Sequence, residues 1–236
     1  MKQCKSLNSR HLGKKLGLVA TSTALLLGAS QLHAAELEVT ITNATKGIYF
    51  TPLIVAAHDS DLYMFRTGEQ ASSELQSMAE GGDISGLSSV ISNAGGVVVE
   101  NPASGPLDPG ATTTFSIDSG EFGYLSLSAM LLPTNDGFVG LDSWAIPEQA
   151  GTYTTTLRGY DAGTEANDEL ASSIPNPPFL TFGANGTGVE TSISNDKVHV
   201  HPGNIGDADA TAGISDLDNA SHRWLNPVAT ITIVVK

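Results

Sequence analysis

Apolar and polar residues alternate with a period of two along most of this chain. In 37–42, Leu37, Val39 and Ile41 fall on one side and Glu38, Thr40 and Thr42 on the other, the pattern of a strand with one buried face. Comparable runs rich in β-branched and aromatic residues occupy 48–57, 96–99, 112–117, 124–132, 138–144, 152–160, 197–200 and 228–235. Gly, Pro, Asn and Asp fill the intervals, as turns require. One region departs from the pattern. Residues 69–92 lack the alternation and read as two short helices, 73–80 and 84–91, separated by Gly81-Gly82-Asp83 with Asp83 as the cap of the second. Strands throughout with a single helical intrusion predict an all-β fold, an antiparallel β-sandwich of about eight strands with a short helical insertion.

The first 35 residues stand apart. Lys2, Lys5, Arg10, Lys14 and Lys15 precede an apolar run rich in small residues over 16–30, and Leu32-His-Ala-Ala35 closes it. That is the layout of a secretory signal peptide, too short for a membrane span. Residues 1–35 are therefore expected to be removed, leaving one domain over 36–236 that is secreted, whether periplasmic or extracellular, with no membrane insertion of the mature chain. Loss of the five leader cations leaves six Lys plus Arg against 25 Asp plus Glu, a formal charge of −19. Such a field excludes nucleic acid as a partner and favours cations. The only cysteine, Cys4, leaves with the leader, so the mature chain has neither a disulfide nor a thiolate site.

Two loops after expected strands concentrate oxygen ligands: Pro133-Thr-Asn-Asp-Gly137, and Tyr160-Asp-Ala-Gly-Thr-Glu-Ala-Asn-Asp-Glu169. A simple meander through 138–144 brings both to one end of the sheet, where Asp136, Asp161 and Glu165 can converge. Calcium takes six to eight oxygens from carboxylates, carbonyls and water, which suits such an edge. Gly163 lets the backbone turn between Asp161 and Glu165. Ordinary acidic turns are the alternative, because turn chemistry itself favours Asp and Asn.

The stretch Ser128-Ala-Met-Leu-Leu-Pro-Thr-Asn-Asp-Gly-Phe-Val-Gly-Leu-Asp142, followed by Tyr160-Asp-Ala-Gly-Thr-Glu165, resembles the spondin domain family. The agreement runs in order along most of 36–236, including the helical insert and the closing Asn226-Pro-Val-Ala-Thr-Ile-Thr232. The resemblance implies a β-sandwich with calcium at one edge, held here by Asp136, Asp161 and Glu165. With no catalytic motif recognisable, the analogy of fold also implies a non-catalytic module for adhesion or binding at the cell surface or matrix, its expected ligand a surface or matrix protein or glycan; the family's animal members carry cysteines that this chain lacks, so their partners are not carried over. Glu165 stands where the family's animal members carry Asp, and Gly137 where they usually have a large aromatic.

Other constellations are less selective. His199 and His201 are spaced to share one face of a strand and can ligate zinc or copper, with His58 or His222 as a third ligand. A metal-dependent exported enzyme using His199 and His201 is accordingly the alternative reading. The segment 207–218 places Asp at the first, third and twelfth positions of an EF-hand-like loop but lacks its turn glycine at the sixth. There is no G-x-S-x-G, H-E-x-x-H or phosphate-binding glycine loop. Asp118, Glu121, Asp142 and Glu148 offer carboxylates without a spacing that selects a glycosidase pair. Trp144 and Trp224 suit either packing or sugar stacking.

Overall fold

The structure is a computed structural model that describes residues 35–184, 195–209 and 212–236. Cys4 and, apart from Ala35, the expected leader lie outside them. In chain order the elements are β1 (Glu36–Asn43), β2 (Tyr49–Phe50), β3 (Ile54–His58), α1 (Ser73–Gly81), α2 (Ser85–Asn93), β4 (Val97–Glu100), β5 (Thr112–Asp118), β6 (Tyr124–Leu132), β7 (Gly137–Ala145), β8 (Gly151–Asp161), β9 (His199–Val200) and β10 (Ala229–Val235).

Eight strands form one antiparallel path, β4-β3-β6-β7-β8-β10-β1-β5, with β2 added on β6 and β9 on β8. The long β8 is the hinge between two halves. Its first part, Gly151 to Leu157, pairs with β10, and its last part, Arg158 to Asp161, pairs with β7. The halves then face each other across a common core: Leu37, Val39, Ile41, Ile231 and Ile233 from one meet Val55, Ala57, Leu127, Leu131 and Val139 from the other. The ends of the path, β4 and β5, come close to each other. The expected sandwich is thus a nearly closed, barrel-like sheet whose two halves are joined through β8.

Burial follows the sequence pattern with one informative exception. β1 and β10 alternate, burying every second residue. β3 and most of β6 are buried on both faces, because the helices cover their second side. Leu75, Met78 and Ala79 of α1 and Leu87 and Ile91 of α2 join Ile54, Ala56, Met130, Leu132 and Phe138 in a second core. Hence the apolar run 124–132 is nearly continuous where β1 alternates.

The helices end where backbone chemistry dictates. Ser72 Oγ accepts the Leu75 N–H at 3.1 Å and opens α1, and Gly82, at φ 71°, closes it. Ser72→Ala is expected to cost about 1 kcal/mol, read as a lower urea midpoint with unchanged slope. Asp83 differs from expectation: the N-cap of α2 is Ile84, without a side-chain cap, and Asp83 Oδ1 instead accepts the Ser85 N–H at 2.9 Å. The expected strand 48–57 is also broken. Between β2 and β3 the chain turns through Thr51-Pro52-Leu53; Pro52 has no N–H to give a ladder, and Thr51 Oγ1 accepts the Met130 N–H at 3.0 Å in its place.

Candidate metal centre

The β6–β7 turn and the end of β8 lie side by side, since Gly137 is the register partner of Asp161. The Ala162 N–H donates to the Asp136 carbonyl at 3.2 Å and continues the pairing into the loop. Gly163 then turns at φ 73°, with the Lys197 backbone nitrogen 2.6 Å from where a Cβ would stand. No other residue fits that combination of backbone and space.

The loop wraps onto Asp136. The Thr164 N–H at 2.8 Å, the Thr164 hydroxyl at 3.2 Å and the Glu165 N–H at 3.1 Å all donate to Asp136 Oδ2. Its Oδ1 is buried and has no hydrogen-bond partner among the described residues. Asp161 is held on both oxygens, by the Gly163 N–H at 2.8 Å on Oδ1 and by Asn167 Nδ2 at 2.6 Å on Oδ2. Asp136, Asp161 and Glu165 are all buried, at 0, 2 and 1 % exposure. Burial, and then the charge of Asp161, push the Asp136 carboxyl up to about 6 against the stabilising N–H donors.

The candidates from sequence are therefore neighbours along one pair of loops. Among the described residues, however, no three His, Cys, Asp or Glu side chains are gathered as a group that could hold a metal ion. The donor chemistry fits a cation that prefers oxygen, and the buried Asp136 Oδ1, without a hydrogen-bond partner among the described residues, is the atom that could take one. The carboxylates are not already closed around one.

A second set of polar groups, which no motif in the sequence singles out, surrounds these carboxylates. Asn135 is buried; its Nδ2 donates to Asp168 Oδ1 at 3.0 Å and its Oδ1 receives the Glu169 N–H at 3.4 Å. The Glu169 carboxylate gathers the Ile205 and Gly206 N–H groups and the Ser215 hydroxyl at 2.6 to 2.9 Å, tying the segment near 205 and 215 to the site loop. The density of Asn, Asp and Glu in 161–169 was the available signal.

The histidines diverge. His199 Nδ1 lies 2.8 Å from the Lys197 carbonyl and its Nε2 3.6 Å from Asp161 Oδ2. His201 is buried against Trp224, ring centroids 4.9 Å apart, and its Nδ1 accepts the Gly203 N–H at 2.9 Å. Burial holds its imidazole down to about 4, so it is neutral. Its Cδ2 stands 3.2 Å from where a Cβ on Gly137 would be; an imidazole thus occupies space that a side chain at 137 would need. His58 is engaged by the Asp59 carbonyl and Ser126, and His222 Nδ1 accepts the Asp218 N–H, so neither completes a three-histidine set. In the EF-hand-like segment the Asp207 carboxylate accepts the Ser215, Asp209 and Ile214 N–H groups, which lower its pKa. Trp224 is buried, and Trp144 meets Tyr153 edge-on at 6.1 Å, so both are engaged in packing.

Among the described residues no helix is long and apolar enough to cross a membrane. No curated protein matches the chain. The Spondin_N family model matches residues 42–179, a span that holds both site loops and all three candidate carboxylates, and ends before β9 and β10. The match covers more than half of the 236 residues, and the chain belongs to the Spondin_N family of extracellular modules.

Proposed function

We propose that this protein is an exported, non-catalytic binding module whose loop end is ordered by calcium, with Asp136, Asp161 and Glu165 as the carboxylates that hold the ion. One observation carries the reading: Asp136 has an oxygen that is buried and unused, on a carboxyl whose ionisation its surroundings disfavour. A calcium ion supplies the missing positive charge and offsets the repulsion between Asp136 and Asp161. The protein's own groups do the rest. The Thr164 and Glu165 amides fix Asp136 Oδ2, Asn167 and the Gly163 amide orient Asp161, and Glu169 anchors the flanking segments. Adhesion to a surface or matrix protein or glycan is the role proposed for the ordered loop end, in keeping with an extracellular family.

Because the ion binds the folded loops and not the unfolded chain, it stabilises by linkage. At free calcium one hundred times the dissociation constant the gain is about 2.7 kcal/mol, a rise in Tm of roughly 5–10 °C for a domain of this size. Differential scanning calorimetry of chelator-treated protein, with and without calcium, is expected to show that rise, and Asp136→Asn and Asp161→Ala to abolish it. An unchanged Tm for the unaltered protein would overturn the assignment. A shift with zinc or copper that His199→Ala removes would favour the histidine site instead.

A further inference from the structure

The outward face of the half-sheet β5-β1-β10-β8 carries a regularity that lies apart from the loop end. A Thr-x-Thr unit sits on each of these four neighbouring strands: Thr112 and Thr114, Thr40 and Thr42, Thr230 and Thr232, Thr154 and Thr156. The register aligns them into two rows. Thr112, Thr42, Thr230 and Thr156 form one, and Thr114, Thr40, Thr232 and Thr154 the other. On β1 and β10 the residues between them, Ile41 and Ile231, point into the core, so the threonines point out. Every one of the eight positions in this block is threonine.

Six of the eight side chains are held in cross-strand pairs as well as aligned. The hydroxyl pairs Thr40–Thr114, Thr42–Thr112 and Thr154–Thr232 are bonded at 2.9, 2.8 and 3.0 Å. Each bond fixes the χ1 of its two residues and hence the direction of their methyl groups. Threonine is favoured in strands, and cross-strand Thr pairs stabilise a sheet, but those preferences alone do not call for a block without a single charge on a chain of formal net charge −14. The first charge along the face is Glu38 in the next row, beside Ser116, Val234 and Thr152. Arg158 follows Thr156 at the other end.

A neutral, regular face of alternating hydroxyl and methyl groups offers no countercharge to a polyelectrolyte. The eight positions include no aromatic ring for a sugar and no large apolar side chain for a protein core. Its charge and its repeat match a neutral, two-dimensionally repeating partner. Neighbouring threonines lie ~4.8 Å apart across strands and ~6.8 Å apart along them, close to the repeats of oxygen atoms on faces of ice. We propose that this face binds ice: the hydroxyls hydrogen-bond into the lattice, while the ordered methyls hold water in a cage continuous with it. Strand twist of about 20–25° per neighbour keeps the match best over adjacent pairs of strands. The expected activity is therefore adsorption and slowed regrowth of crystals, more than a large freezing-point depression.

The test is partition into a slowly growing ice front of the purified protein together with a reference protein of similar size and charge. The unaltered protein is expected to be enriched several-fold in the ice fraction relative to the reference and to slow recrystallisation of a frozen sucrose film. Thr40→Tyr/Thr232→Tyr, which keeps strand propensity but breaks the centre of the grid, is expected to fall to the reference level with Tm retained. Thr114→Lys on the outer strand provides a second disruption should the double variant fold poorly. Asp161→Ala is expected to remain enriched, which separates this face from the calcium reading. Partition of the unaltered protein equal to the reference, or folded grid variants enriched as strongly as the parent, would overturn the proposal.

Discussion

Phe138→Ala is expected to destabilise the domain by about 3–5 kcal/mol, lowering Tm by roughly 6–20 °C. Phe138 is fully buried and stands edge-on to Phe65 at 5.0 Å and stacked with Tyr160 at 5.6 Å. It belongs to the core that binds the helices to the outer side of β3 and β6, and it is two residues from Asp136. Truncation leaves a cavity beneath the loop end, so the response to calcium is expected to weaken along with the fold. Val200→Ala, at a position 42 % exposed, is the control, with a change within about 0.5 kcal/mol. Urea unfolding of both variants measures the contrast. A cost below about 1 kcal/mol for Phe138→Ala is incompatible with the packing described.

The second large effect is a pair of opposing pH dependences. Burial, then the Asp161 charge, raises Asp136 to about 6 in the folded protein from an unfolded value near 3.9. Its folded form binds the proton more tightly, so the associated stability is fully present below about pH 4 and is lost as pH rises through 6. Burial lowers His201 to about 4 from about 6.5. Here the unfolded chain binds the proton more tightly, so stability is fully present above about pH 6.5 and is lost as pH falls toward 4. Each shift corresponds to about 3 kcal/mol, and over this window the two nearly cancel. In chelator the unaltered protein is expected to show little net dependence from this pair. Asp136→Asn is expected to lose stability on acidification, through His201, and His201→Leu to gain it, through Asp136. Urea midpoints between pH 4 and 6.5 test both, and three parallel curves would show that neither group titrates as described. Calcium adds a third dependence, because the ion requires the Asp136 carboxylate and binds more tightly as pH rises.

Much of the site was legible because it is local. Asp161-Ala-Gly-Thr-Glu165 encodes a tight turn with its acids and its glycine in one segment, and the antiparallel pair of strands between the two loops, β7 and β8, returns the chain to the same sheet end. What the sequence left open is atomic. Nothing in the spacing says that Asp136 spends one oxygen on the Thr164 and Glu165 amides and keeps the other free of hydrogen bonds. Nor does it say that Asp207 is satisfied by its own loop. Both outcomes depend on which N–H groups folding leaves near each carboxylate.

Alternation of side chains is a property of single strands, so the residue pattern alone shows that β1, β5, β8 and β10 each have one face to bury and one to expose. It likewise marked 69–92 as the helical break. That β10, the last strand, lies between β8 and β1 is set by long-range pairing. That placement is what turns four separate Thr-x-Thr units into one grid, and the segment leading to it sets Trp224 against His201, whose ring stands beside Gly137. The helices, too, cover β3 and β6 only once the sheet exists, which is why those strands are apolar on both faces. Local pattern fixes which side of a strand prefers water. Long-range pairing, whose stabilisation comes from burial shared between distant segments, fixes which strands become neighbours.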